Sequence, residues 1–176
     1  MQWSKLQKSI NGLLADSVKN RIQFHMTRYG SGSSTTMARA WVTWDKKEIA
    51  NFSTVEKYKE HFALAHEIQQ INHCDNFRDP SQREGYYSAY EEAEAILDKR
   101  GVFSRFSFYD SLVDYLELSV EDAMGSDNPI IQAVSMLDRR LGKRRLREID
   151  DSSMHPLVKT FYELRYEAEG IKVMPH

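Results

Sequence analysis

One cysteine, Cys74, occurs in 176 residues, so no intrachain disulfide can brace this chain and its stability has to come from a packed core. Nothing in that usage speaks for an oxidising compartment, and a reducing cytoplasm is the expected setting. Four prolines and eight glycines are too few for a collagenous or Pro/Gly-rich disordered chain. No apolar run approaches the roughly 18 residues of a membrane span. The opening Met1-Gln2-Trp3-Ser4-Lys5-Leu6 has no basic stretch leading into an apolar one, so neither a signal nor a transit peptide is expected. Internal repeats and low-complexity segments are also missing. What is present, 41% hydrophobic, 28% charged and 11% aromatic residues, suits a single domain over 1–176 with a weak sub-boundary at 72–79.

A net charge of −2 conceals an asymmetry. Residues 1–53 sum to +5, residues 54–137 to −9 and residues 138–176 to +2, so an acidic middle lies between basic flanks. Such a layout either neutralises itself when the flanks pack around the middle or presents two separate binding faces.

Periodicity supplies an element order. Trp3, Leu6, Ile10, Leu13, Leu14 and Val18 fall at helical spacing behind Ser4 and Gln7, which predicts a first helix ending near Lys19-Asn20. Ile22, Phe24 and Met26 then alternate with Gln23, His25 and Thr27, as a half-buried strand requires. Gly30-Ser31-Gly32-Ser33-Ser34 reads as a flexible loop; it lacks the third glycine of a dinucleotide-binding turn and joins two strands. Arg39 to Trp44 and Ile49 to Phe52 complete a meander around a turn at Asp45-Lys46-Lys47-Glu48.

Ser53 and Glu56 form a capping box for a second helix with an apolar stripe of Val55, Tyr58, Phe62, Ala65 and Ile68. Asp79-Pro80 predicts the start of a third helix, closed by Gly101. Beyond it, Ser107 with Asp110, Ser119 with Asp122, Asn128-Pro129 (a helix over 130–141, broken by Gly142) and Ser153 or His155 before Pro156 all signal helices. The expected fold is α+β: a small three-stranded antiparallel sheet flanked by helices in the order α-β-β-β-α, followed by a helical C-terminal half.

The start Met1 to Leu6, the strand Arg21-Ile22-Gln23-Phe24-His25 and the late stretch from Asn128-Pro129-Ile130 through Leu137-Asp138-Arg139-Arg140-Leu141-Gly142-Lys143-Arg144-Arg145-Leu146 resemble an uncharacterised family of small bacterial proteins over most of the chain. The resemblance implies a bacterial, cytosolic source and brings no activity. The α-β-β-β-α order over residues 3–70 is also that of double-stranded RNA binding domains, but the second helix lacks their lysine cluster, because Glu56 and Glu60 offset Lys57 and Lys59.

Three groups of side chains invite a chemical reading. Arg139, Arg140, Lys143, Arg144, Arg145 and Arg147 place six cations within nine residues, a candidate patch for RNA or a phosphate ligand. Alternatively, they complement the negative end of the preceding helix and pair with the acidic middle. Glu60-His61, His66-Glu67 and His73-Cys74 hold metal-ligand side chains at a spacing unsuited to one ion, so no metal or cofactor is expected. Glu91, Glu92 and Glu94 sit among Tyr86, Tyr87 and Tyr90 and, further on, Phe103, Phe106 and Phe108. No nucleophile-base pattern stands out, and an enzyme would need a pocket holding His25, His61 or His66 beside carboxylates. The leading expectation is therefore a non-enzymatic bacterial protein-binding module, of immunity type or regulatory, whose acidic, tyrosine-rich middle engages a basic protein partner. The alternative is an RNA or phosphate-ligand binder using the 139–147 cluster.

Overall fold

The computed structural model describes residues 1–27 and 39–171. The segments of period two pair as expected: β1 (Ile22–Met26), β2 (Arg39–Trp44) and β3 (Lys47–Ser53) form an antiparallel sheet in the order β1-β2-β3. The register sets Phe24 opposite Val42 and Ala40 opposite Phe52, so Ile22, Phe24, Ala40, Val42 and Phe52 share one buried face. Asp45 and Lys46 take φ of 48° and 68°, the pair of left-handed residues that closes a two-residue hairpin. The turn is thus tighter than the four residues Asp45 to Glu48, and β3 begins at Lys47. The Gly30–Ser34 loop lies outside the described residues.

Helices cover the apolar side of the sheet. Phe108 of α4 (Arg105–Tyr115) stacks on Phe52 with ring centroids 4.2 Å apart, and lies 6.3 Å from Phe24 and 6.5 Å from Trp3 of α1 (Trp3–Leu13). The main core continues through Val120 and Ala123 of α5 (Val120–Met124), Ile130 and Val134 of α6 (Pro129–Met136), Leu146 of α7 (Lys143–Arg147) and Phe161 of α8 (Pro156–Ala168). α2 (Thr54–Ile71) and α3 (Arg83–Arg100) pack chiefly on each other around a second, smaller cluster of Ala65, Ile68, Ala89 and Ala93.

Several caps form where the sequence signals them. Ser53 accepts from the Glu56 N–H, Ser119 from Asp122 and Asn128 from Ile130, and Gly101 ends α3 at φ 80°. Other boundaries differ for identifiable reasons. α1 has Gln2 at its N-cap without a side-chain bond, while Gln7 donates to the Phe24 carbonyl at 2.7 Å. That helix stops at Leu13, not near Lys19, because Leu14 bridges to Asp138: Ala15 N–H donates to Leu137 O at 2.9 Å and Arg139 N–H to Leu13 O at 2.8 Å. The same bridge draws the chain out of α6 at Met136 rather than Leu141, and Gly142 becomes the N-cap of α7. Asp79 holds a turn through Ser81 N–H at 2.9 Å, so α3 begins only at Arg83. Ser104, not Ser107, caps α4, accepting from the Ser107 N–H at 3.0 Å.

The largest correction concerns α2. Its buried side is Thr54, Lys57, Ala65, Ile68 and Gln69, whereas Tyr58 and Phe62, expected in the core, are 49% and 58% exposed. Among the described residues no helix is long and apolar enough to cross a membrane.

Candidate functional site

The rotation of α2 follows from what α3 offers it. Lys57, buried to 5%, extends its ammonium to Glu94 at 2.5 Å and Asp98 at 3.1 Å on α3. Gln69 donates to the Tyr86 carbonyl at 3.0 Å, and His61 hydrogen-bonds the Tyr90 carbonyl through Nε2 at 2.9 Å. A buried ammonium is tolerated only when paired, so these polar contacts fix which side of α2 faces inward. The apolar side chains of the opposite side are turned to solvent.

They meet the aromatics of α3 in one continuous surface. Tyr58 lies 6.4 Å from Phe62, Phe62 6.1 Å from Tyr90, Tyr90 5.7 Å from Tyr86 and Tyr86 5.6 Å from Phe77, measured between ring centroids. Tyr87 meets Tyr86 edge-on at 5.4 Å. Phe77 and Tyr87 are 46% and 57% exposed. At the α3 end, Phe77, Tyr86, Tyr87, Tyr90 and Glu91 line an open-sided cleft of about 540 Å³. The start of α3 approaches the α2–α3 connection closely there: a Cβ on Gly85 would stand 3.0 Å from Cys74 Cβ and 3.2 Å from its Sγ, a tight contact that would push the two segments apart by a few tenths of an ångström. The Tyr86 hydroxyl shares a 3.3 Å hydrogen bond with that of Tyr90, which raises its pKa.

The three candidate glutamates separate in this setting. Glu91 lines the cleft, and both it and Glu92 are exposed on α3 with no ion pair among the described residues. Glu94 is half-buried and committed to Lys57, and with Asp98, Phe103 and Asp127 it borders a different cleft of about 410 Å³.

The basic cluster is likewise divided. Arg140 is bound to Asp138 through Nε at 3.0 Å and a terminal nitrogen at 2.7 Å, which holds its pKa above the usual arginine value. Lys143 reaches Glu169 at 2.8 Å and Arg145 reaches Glu121 at 2.5 Å, and the hydrogen bond from Arg145 lowers the Glu121 pKa. Arg144 makes only a 3.7 Å contact with Glu148 and is 89% exposed at its side chain; Arg139 and Arg147 form no ion pair among the described residues. The cluster does not sit on the end of α6, since the Leu14–Asp138 bridge intervenes.

A family model spans residues 2–166, the aromatic surface and the basic cluster included. The chain belongs to the SF0329 protein family. No curated protein and no solved structure matches the chain. The motifs by which the sequence resembles a family fall on structural parts of this SF0329 member: Asp138 carries the inter-segment bridge and Asn128 caps α6.

The histidines singled out in sequence lie apart. His25 stacks on Trp41 at 4.9 Å and its Nε2 stands 3.0 Å from Thr43 Oγ1, where burial lowers its pKa. His61 is 3.7 Å from Glu94, and His66 hydrogen-bonds Gln70. Among the described residues no three His, Cys, Asp or Glu side chains converge to hold a metal. The signal that sequence reasoning missed was Phe77, which stands in the α2–α3 connection and closes one side of the aromatic cleft.

Proposed function

We propose that this SF0329 protein is a non-enzymatic protein-binding module of immunity or regulatory type, and that it engages a basic protein partner through the solvent-facing side of its α2–α3 hairpin. One observation carries this reading: the unbroken run of rings in which exposed Tyr58, Phe62 and Phe77 are joined through the half-buried Tyr90 and Tyr86. Scattered exposed apolar side chains are ordinary, but a contiguous aromatic patch rimmed by charge is the composition of an interface centre, where tyrosine and phenylalanine supply large rigid contact area. Glu91 and Glu92, without an ion pair among the described residues, lie beside it and set the sign of the partner's charge. A bacterial source and a cytoplasmic setting belong to the same reading, supported by the sequence motifs and by a single, buried cysteine.

The test is capture of partners from the native host at physiological salt by the wild-type chain and by Phe62→Ser and Glu91→Lys/Glu92→Lys variants, each with and without nuclease. A discrete partner that survives nuclease and is lost from the variants supports the module. Capture unaffected by any of these substitutions removes it. A second reading, an RNA or phosphate-ligand binder, is favoured by Arg139 and Arg147, which form no ion pair among the described residues, and by the exposed Arg144, whose contact with Glu148 is 3.7 Å long. It requires capture that nuclease abolishes and that weakens steeply as salt rises.

A further inference from the structure

We infer that the cleft at the α3 end of this surface is an aromatic cage for the guanidinium group of an arginine side chain on the partner, with Glu91 as its counter-ion; this rests on the protein-binding reading above and names what the partner presents. Three observations support it. First, four rings line one open-sided cleft. Around Tyr86, the Phe77, Tyr87 and Tyr90 rings stand at 51°, 88° and 61° with centroids 5.4–5.7 Å away, and the four rings with Glu91 border an open-sided cleft of about 540 Å³. Ring faces carry the negative part of the aromatic quadrupole, so a cation that enters a ring-lined cleft is attracted to any face it meets.

Second, the one ionisable carboxylate lining the cleft has no internal cation. Glu91 is exposed and makes no ion pair among the described residues, whereas Glu94, one turn further along α3, is neutralised by Lys57. Third, the chain already uses one of these rings in this way: the guanidinium carbon of Arg78 lies 5.7 Å from the Phe77 centroid. A planar guanidinium can lie flat on a ring and still direct N–H donors to a carboxylate at the edge, which a compact ammonium does less well. That geometry favours arginine over lysine here.

The experiment is an NMR titration of the full chain, reading the aromatic resonances of Phe77, Tyr86, Tyr87 and Tyr90. The probes are a blocked arginine tripeptide, the same peptide with citrulline, which keeps the shape and removes the charge, and tetramethylammonium. The arginine peptide should shift these rings with a dissociation constant on the order of millimolar, as expected of a single anchor without its interface. Citrulline should bind at least about tenfold more weakly. Tyr87→Ala should abolish the shifts and Glu91→Gln should weaken binding severalfold, both with otherwise unchanged spectra, because each side chain is exposed. No ring shifts, or equal shifts with citrulline, would overturn the cage. Tightest binding by tetramethylammonium would overturn its assignment to a protein side chain in favour of a free organic cation. The two proposals fail separately: partner capture lost in Phe62→Ser but unchanged in Tyr87→Ala sinks the cage and leaves the binding surface standing, whereas capture unchanged in both sinks the surface as well.

Discussion

Tyr115 donates its phenolic hydrogen to the buried carboxylate of Asp138, and the same carboxylate receives the backbone N–H of Arg140 at 2.7 Å and two of its guanidinium nitrogens. This joins α4, the segment after α6 and, through the Leu14–Asp138 bridge, the end of α1. Arg165 completes the junction by donating to Leu137 O at 3.1 Å and pairing with Glu169 at 2.7 Å. The conspicuous Leu-Asp-Arg-Arg-Leu-Gly-Lys-Arg stretch is therefore first a structural clamp, and only its outward arginines remain for ligands.

The arginines of the cluster should separate by stability. Arg140→Ala leaves the Asp138 carboxylate, fully buried at its side chain, with Tyr115 as its main side-chain partner, a loss on the order of 2 kcal/mol, below that of a fully buried pair because the Arg140 side chain is 35% exposed. Arg144→Ala and Arg147→Ala should stay within about 0.5 kcal/mol of wild type, as surface substitutions do. Urea unfolding of the three variants decides it; equal midpoints would mean that the clamp contributes nothing.

Tyr115 also predicts an alkaline limb. Burial, followed by the hydrogen bond to Asp138, raises its pKa well above the ordinary value of 10.0. A group whose folded pKa is raised stabilises the fold fully below its unfolded pKa and loses that contribution as pH rises toward the folded value. Stability should accordingly fall above about pH 10, by up to about 1.4 kcal/mol per pH unit for this one group. Tyr115→Phe should be less stable at pH 7 by about 1–3 kcal/mol yet show a shallower alkaline slope. Denaturant midpoints measured from pH 8 to 11 test both parts.

Glu169 sets an acid limb of opposite sign. Burial raises its pKa, but hydrogen bonds from Lys143 and Ser17 and the charge of Arg165 outweigh this and leave it below the ordinary value of 4.5. A lowered folded pKa means stability that is present above pH about 4.5 and lost as pH falls toward the folded value. Glu169→Gln should lower stability at pH 7 and flatten the dependence between pH 5 and 3, read by thermal unfolding; an unchanged acid slope would assign that limb to other carboxylates, Glu121 and Asp45 among them.

How far all this was legible in the sequence depends on the range of the interaction. The alternation that marks the strands, the caps at Ser53, Ser119 and Asn128 and the stop at Gly101 rest on neighbours within a few residues, and the pattern displays them. The ends of α1 and α6 depend on one bridge between residues 14 and 138, which no local window contains. The α2 face was misassigned for a chemical reason: an apolar stripe ordinarily marks the core, but here Lys57 and Gln69 find partners on α3 and take the inside, and Tyr58 and Phe62 are left out. An acidic, tyrosine-rich middle could be read from composition; that Glu91 and Glu92 form no ion pair among the described residues while Glu94 is spent on Lys57 could not.

That division of the glutamates makes the last prediction. Reversing Glu94 to lysine would set a second ammonium beside the buried Lys57 and leave that ion to Asp98 alone, a loss on the order of 2 kcal/mol concentrated in the α2–α3 hairpin, moderated because Glu94 is 47% exposed at its side chain. Glu91→Lys and Glu92→Lys should leave stability within about 0.5 kcal/mol, since both carboxylates are exposed and neither forms an ion pair among the described residues. For binding to a basic partner the order should invert: the Glu91 and Glu92 reversals should weaken association by slowing its on-rate most at low salt, while Glu94→Lys should act through the hairpin's integrity and persist at high salt. Hydrogen exchange of the α2–α3 amides, measured alongside association rates at two ionic strengths, separates the two effects. Salt-insensitive losses for Glu91→Lys would show that its charge is not what the partner reads.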